Sequence, residues 1–296
     1  MRRVGLFVIN QPRELNKDNN MKFATRLLVA LLATASMYSH AETLKMGTEG
    51  AYAPFNLVNK EGQLEGFDID IGNALCAEMK VECEWVTADW DGIIPALMSK
   101  KFDTIVASMS ITDERKQKID FSGKYYTSPV KFARPKNSKV DISVEGLKGK
   151  VIGVQGGTVT ENFVKGMFGD VAEIKAYGAQ DEANLDFVSG RVDLIAADSF
   201  VLYDFLASKD GTFAEAAGPD FDDPKYLGEG IGIGVRKGED KLKVIAMKRY
   251  NIGEHTNKTC TFSIGLPRLV TIPIVNNIPL LHCEQWREKY GSKAHC

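Results

Sequence analysis

From Thr43 onward the chain alternates short apolar runs with segments of helical period, and the alternation comes in two series. In the first, LKMGT, CEWVTA and FDTIVAS read as strands, with the helices FDIDIGNALCAEM and WDGIIPALMSKK between them. Asp68 or Asp70 is the N-cap expected for the first helix, and Ile71, Leu75 and Met79 share one of its faces. The second series starts near Lys150, with strands KVIGV, EIKAY and VDLIAAD and helices TENFVKGMF, DEANLDFVSG and SFVLYDFLAS. Strands separated by helices pair in parallel, so the fold class is α/β. The series echo each other, since SKKFDTIVA (Ser99 to Ala107) resembles SGRVDLIAA (Ser189 to Ala197), and two similar lobes follow as the natural reading. A single doubly wound sheet is the alternative, because units of one hydrophobic period echo by chance.

Two extended segments suggest how the halves connect. YYTSPVKFARPKNS, marked by Pro129 and Pro135, lies between the series, and GEGIGIGVRKG follows the second. Crossing out along one and back along the other makes lobe one discontinuous, residues 42–127 with 230–243, and leaves 131–227 as lobe two. The crossings then form a two-strand hinge of the kind that closes over ligands.

A formal charge of -2 offers no electrostatic reason to expect nucleic acid or an anionic membrane as partner. Residues 21–41, MKFATRLLVALLATASMYSHA, join a basic start to an apolar run and end with Ser39 and Ala41 at the places of a small-residue cleavage site. They read as a secretory signal, the apolar run being far shorter than the roughly 20 residues of a spanning helix. Residues 1–20 fit that signal poorly and read as an upstream extension before a start at Met21. Export permits disulfides, and one is expected between Cys76, at a helix end, and Cys83, at a strand start; two buried thiols are the alternative.

Catalytic signatures are absent: there is no G-x-S-x-G and no H-E-x-x-H, and the four histidines fall in the signal (His40) or after residue 250. No metal or cofactor is called for. GVQGGTVTENF is a strand, a glycine turn and a helix start whose N–H groups suit an anion such as a carboxylate, or simply a tight turn. It lacks the G-K-[ST] ending of a phosphate loop. Arg115 stands in DERKQK, which reads either as a solvated helix face or, for Arg115 alone, as a carboxylate fork near Ser108 and Ser110. Glu49 and Tyr52 follow the first strand, Trp90 follows CEWVTAD, and Asp198 ends the strand that echoes the one before Ser108. All of these lie at strand C-termini, where a cleft between two lobes opens.

GTEGAYAPFN, LEGFDIDIGNAL, WDGIIPAL, DTIVASMSITDERKQKIDFS, GKVIGVQGGT and GRVDLIAAD together resemble the periplasmic amino-acid-binding proteins of ABC importers (solute-binding protein family 3), most of all the lysine/arginine/ornithine- and histidine-binding type. The likeness covers Glu42 to Lys243 and implies a two-lobed, type II periplasmic binding fold, a monomer that hands its ligand to permease subunits, and no catalysis. It implies that Arg115 clasps the ligand α-carboxylate with Ser108, Ser110 and Thr158 around it, and that Asp198 receives the α-ammonium. It further implies that Tyr52 and Trp90 stack on a long or planar side chain. Glu49 replaces the aspartate common at its position and keeps the charge for a distal cation, so arginine, lysine, ornithine or histidine is expected. Val159 and Thr160 stand where the family often has another polar residue, which leaves room for an opine. The same fold also resembles exported cyclohexadienyl dehydratases, in which a cleft carboxylate, here Glu49, serves as proton donor. After Lys243 the likeness stops. Residues 244–296 show no sustained helical period and carry three late prolines and Cys260, Cys283 and Cys296, so a frameshifted tail is expected, with a divergent terminus as the alternative.

Overall fold

A computed structural model describes residues 43–239 and two further strands, 259–262 and 270–273, all within one unit, Glu42–Cys296. The upstream extension, the signal and most of the tail lie outside the described residues.

Two five-stranded sheets carry the fold. In lobe one the strands are β1 (Thr43–Thr48), β5 (Glu82–Thr87), β6 (Thr104–Ile105), β7 (Asp120–Phe121) and β13 (Gly234–Val235), in the order β5-β1-β6-β13-β7. Lobe two uses β8 (Val130–Pro135), β9 (Val151–Gln155), β10 (Glu173–Tyr177), β11 (Leu194–Asp198) and β12 (Ala214–Phe221), in the order β10-β9-β11-β8-β12. The first three strands of each order are parallel and the fourth is antiparallel to its neighbours. That fourth strand is in each case the one reached by crossing from the other lobe. Two sheets related in this way replace the single doubly wound sheet.

The helices follow the apolar period. They are α1 (Phe67–Met79), α2 (Ile93–Met98, entered by a 3-10 turn at Trp90–Gly92), α3 (Asp113–Lys118), α4 (Val159–Phe168), α5 (Gln180–Val188), α6 (Ser199–Ala207) and α7 (Pro224–Leu227). A small antiparallel sheet of β2 (Ala51–Tyr52), β3 (Asn56–Val58) and β4 (Leu64–Glu65) precedes α1. Phe102 and Ile105 in lobe one, and Phe132, Phe163 and Ile152 in lobe two, are fully buried, each contributing about 1.5–3 kcal/mol by leaving water. The expected disulfide joins Cys76 of α1 to Cys83 of β5.

The echo is structural. α2 and α5 each end in a serine, Ser99 and Ser189, whose hydroxyl bonds a last-turn carbonyl (Ala96 and Leu185). Lys100 and Gly190 follow with φ of 62° and 71° and turn the chain into β6 and β11. Helix, left-handed turn and strand start thus repeat in step, although β6 is shorter than β11, and Ser108 and Asp198 stand at equivalent positions after them.

Two expectations change in detail, and the tail adds one strand pair. Neither Asp68 nor Asp70 caps α1: the N-cap is Gly66, without a side-chain bond, and the Asp68 carboxylate is turned inward and fully buried. FDTIVAS forms a ladder only at Thr104–Ile105, and its last residue, Ser108, adopts a positive φ of 50°. Within the tail, β14 (Thr259–Phe262) pairs antiparallel with β15 (Val270–Pro273).

Candidate ligand-binding site

Parallel strands leave their ligand site at their C-terminal ends. The ends of β1, β6, β9 and β11 converge on one cavity lined by Glu49, Tyr52, Trp90, Ser108, Ser110, Arg115, Thr158 and Asp198, the set read from the sequence, together with Ala107, Gln155, Val159 and Thr160. The lobes meet across it. The Tyr52 hydroxyl donates to Asp198 Oδ2 at 2.9 Å, Gln155 Nε2 to Glu49 Oε1 at 2.6 Å, and Arg115 Nη2 to the Gly157 carbonyl at 3.1 Å. Beside these bonds the Phe55 and Phe200 rings meet edge to face at 6.2 Å. Ile231 bridges both Ser110 and Tyr126, so the two crossings run side by side under the cavity.

Arg115 is set by its helix. Thr112 caps α3, its hydroxyl accepting the Arg115 N–H at 3.2 Å. The guanidinium then donates to the Ser110 carbonyl at 3.0 Å and to Gly157 of the other lobe, with its Cζ 5.2 Å from the centre of the Trp90 ring. Burial pulls its pKa down to about 10, against the pull of Glu114 and Asp198, so it stays protonated at neutral pH. The rest of DERKQK is indeed solvated: Lys116 pairs with Asp113 and Glu229, and Lys118 with Glu114. Gly157 makes the close approach possible. Its φ is 65°, and a Cβ there would come within 3.0 Å of Asp91 Oδ1 and 3.4 Å of Trp90 Nε1.

Two carboxylates face the cavity under opposing influences. Burial pushes Asp198 up to about 7, with Asp68 adding to the rise and Tyr52 and Arg115 resisting it. Glu49 is also pushed up to about 7, first by burial and then by Asp181, Asp89 and Asp91, while the Gln155 amide opposes. Both therefore change charge near neutrality, and a cation between the lobes favours their ionised forms.

Thr158 and Ser108 use their hydroxyls within the protein. Thr158 Oγ1 donates to the Gln155 carbonyl at 2.8 Å and caps α4 by accepting from Glu161 N at 3.1 Å, while the Glu161 carboxylate accepts from Gly157 N, one residue before the cap, at 2.8 Å. The turn in GVQGGTVTENF is thus a helix cap that also lines the cavity. Ser108 Oγ donates to Asp68 Oδ2 at 2.8 Å. Gln155 was missed by the sequence reading, although its place at the end of β9 obeys the strand-end rule that selected the others.

Residues 44–250 match the model of the bacterial extracellular solute-binding proteins, family 3. An L-arginine-binding protein of Pseudomonas aeruginosa is 46% identical over 201 residues, covering 67% of this chain and 78% of the relative. The lysine/arginine/ornithine-binding periplasmic protein of Escherichia coli is 38% identical over 228 residues, 74% of this chain and 85% of the relative. A solved structure of an ancestral arginine-binding protein bound to arginine superposes with a TM-score of 0.65 at 36% identity, over 71% of this chain and 91% of that one. Two-lobed topology, a strand-end cavity and a family match over most of the described residues agree, and the chain belongs to the bacterial extracellular solute-binding proteins, family 3.

Proposed function

We propose that the protein captures a basic L-amino acid, arginine first among them, between its lobes in the periplasm and delivers it to the membrane subunits of an ABC importer. The observation that carries this reading is the pairing of Arg115 from lobe one with Asp198 from lobe two on a single cavity. Opposite charges from opposite walls suit a zwitterion, its carboxylate on the guanidinium and its ammonium on Asp198. Charge-assisted bonds of this kind contribute about 1.5–3 kcal/mol each. Glu49 with Tyr52 and Trp90 takes the distal cation and the side-chain stem. Each end of the ligand holds a different lobe, so binding energy goes directly into keeping the hinge closed. Arginine-binding and lysine/arginine/ornithine-binding relatives support this ligand class. Among the described residues no helix is long and apolar enough to cross a membrane.

Calorimetry with the twenty amino acids and octopine tests the reading; heat from basic amino acids alone is expected, and no binding by any of them overturns it. One observation favours a second reading: Glu49, held near neutrality by burial, is poised as a proton donor, as in a dehydratase. Incubation with prephenate or arogenate decides this, and formation of phenylpyruvate or phenylalanine would establish it.

A further inference from the structure

Asp68 stands on the first turn of α1, fully buried and outside the set of residues that line the cavity. Its carboxylate gathers three side chains from separate parts of lobe one. Asn56 Nδ2 donates at 3.0 Å, Ser108 Oγ at 2.8 Å and the Tyr125 hydroxyl at 2.7 Å. The Ser108 main chain also favours the ionised carboxylate. Two of these residues are tied to ligand capture. Ser108 takes a φ of 50°, which residues with a side chain adopt rarely and then mostly as Asn or Asp. Two residues on, the Ser110 carbonyl anchors the Arg115 guanidinium at 3.0 Å. Tyr125 begins the first crossing, its N–H bonded to Ile231 of the second at 2.8 Å.

We propose that Asp68 is a positioning residue for ligand capture. By bonding Ser108 it holds the left-handed turn that presents Ser108–Ser110, and with it the Arg115 anchor, to the cleft; by bonding Tyr125 it fixes that loop to the hinge. This deepens the assignment of the cleft to a basic amino acid and rests on it. A carboxylate is the side chain required, because it only accepts, and every group around it here is a donor. An amide in its place would set an N–H either against the Tyr125 hydroxyl at the Oδ1 place or against Asn56 and Ser108 at the Oδ2 place.

The test is a double-mutant cycle on the full chain at pH 8, titrating L-arginine into the wild type, Asp68→Asn, Ser108→Gly and the double variant, with a thermal melt of each. Glycine takes a φ of 50° unaided. Asp68→Asn should therefore weaken L-arginine about tenfold when Ser108 is present and by no more than about twofold when residue 108 is glycine. An equal loss in both backgrounds would mark Asp68 as merely structural and overturn the proposal, as would wild-type affinity in Asp68→Asn. If Asp68→Asn does not fold, Tyr125→Phe takes its place, removing one donor from the same carboxylate. It should weaken L-arginine about threefold, and unchanged affinity would overturn the link to the hinge. A wild type that binds no basic amino acid would overturn the ligand assignment and this role together, whereas a wild type that binds beside an unaffected Asp68→Asn would overturn only the role.

Discussion

Asp68, on the first turn of α1 and bonded to Ser108, and Asp198, which ends β11 at the place matching Ser108, are both buried carboxylates, yet they are satisfied in opposite ways. Asp68 takes its hydrogen bonds from Asn56, Ser108 and Tyr125, all of its own lobe. Asp198 takes its bond from Tyr52, across the cleft. The electrostatics follow. Burial raises both, but donors that favour the anion hold Asp68 to about 6, whereas Asp198 rises to about 7. A carboxylate whose partners travel with it serves the fold whether the hinge is open or closed. One whose partner belongs to the other lobe is desolvated by closure and gains from a bound ammonium. The same division separates Arg115, which bonds Gly157 of lobe two, from its neighbour Lys116, which pairs on the outer surface.

The largest effect expected from this division is at Arg115. Arg115→Ala removes a charged donor pair from the cleft, so basic amino acids should bind at least about 100-fold more weakly by calorimetry, with an unchanged circular dichroism spectrum. Arg115→Lys should recover only part, because an ammonium lacks the planar fork. Wild-type affinity in Arg115→Ala would break the comparison outright. Next comes the pair of carboxylates. Asp68→Ala leaves buried donors without their acceptor and should lower stability by about 3 kcal/mol or more in urea titrations. Asp198→Ala should cost less than about 1 kcal/mol in the same titrations while weakening ligand at least about tenfold. Equal stability losses would show that position relative to the hinge does not matter.

Much of this could be read from the sequence, and the failures share a cause. Strands, helices and the echo at Ser99–Ala107 and Ser189–Ala197 are encoded locally by hydrophobic period, so they emerged in the right order, although FDTIVAS and WDGIIPALMSKK form shorter elements than their apolar runs. The eight cleft residues emerged because strand ends and family pattern coincide. Asp68 was misread as a cap because an acid in the first turn looks alike whether it faces solvent or core; its partner Tyr125 lies 57 residues away. The Arg115 ambiguity was real for the same reason: Arg115 and Lys116 differ by about 100° around the helix, and only tertiary packing says which direction is the cleft. Gln155 lay just past the end of the strand KVIGV, and its partner Glu49 is 106 residues away in sequence.

A pH series sharpens the comparison further. Asp198 and Glu49 in the folded protein titrate at about 7, above their ordinary 3.8 and 4.5, and a bound cation favours the ionised forms. Affinity for L-arginine should therefore be full above pH 8 and fall at least about tenfold by pH 5, with proton release on binding near pH 7. The sign for stability is opposite. Without ligand, these groups hold protons in the folded state that the unfolded chain has lost between about pH 4 and 7, so their contribution to stability declines as pH rises through that window. An affinity flat from pH 8 to pH 5 would mean that neither carboxylate meets the ligand's charge.

The smallest effect belongs to Lys116→Ala, and it is informative because it is small. Lys116 carries the same charge as Arg115, one residue along the same helix, and its ammonium is raised above its ordinary pKa by Glu229 and Asp113, with which it pairs in solvent. If net positive charge on α3 were what attracted an amino-acid carboxylate, removing Lys116 would cost affinity nearly as much as removing Arg115. If direction decides, the loss should stay within about twofold at 0.15 M salt, where surface charges are screened beyond about 8 Å. Titrating L-arginine into Lys116→Ala and Arg115→Ala side by side separates the two, and equal losses would return the whole of DERKQK to a solvated helix face.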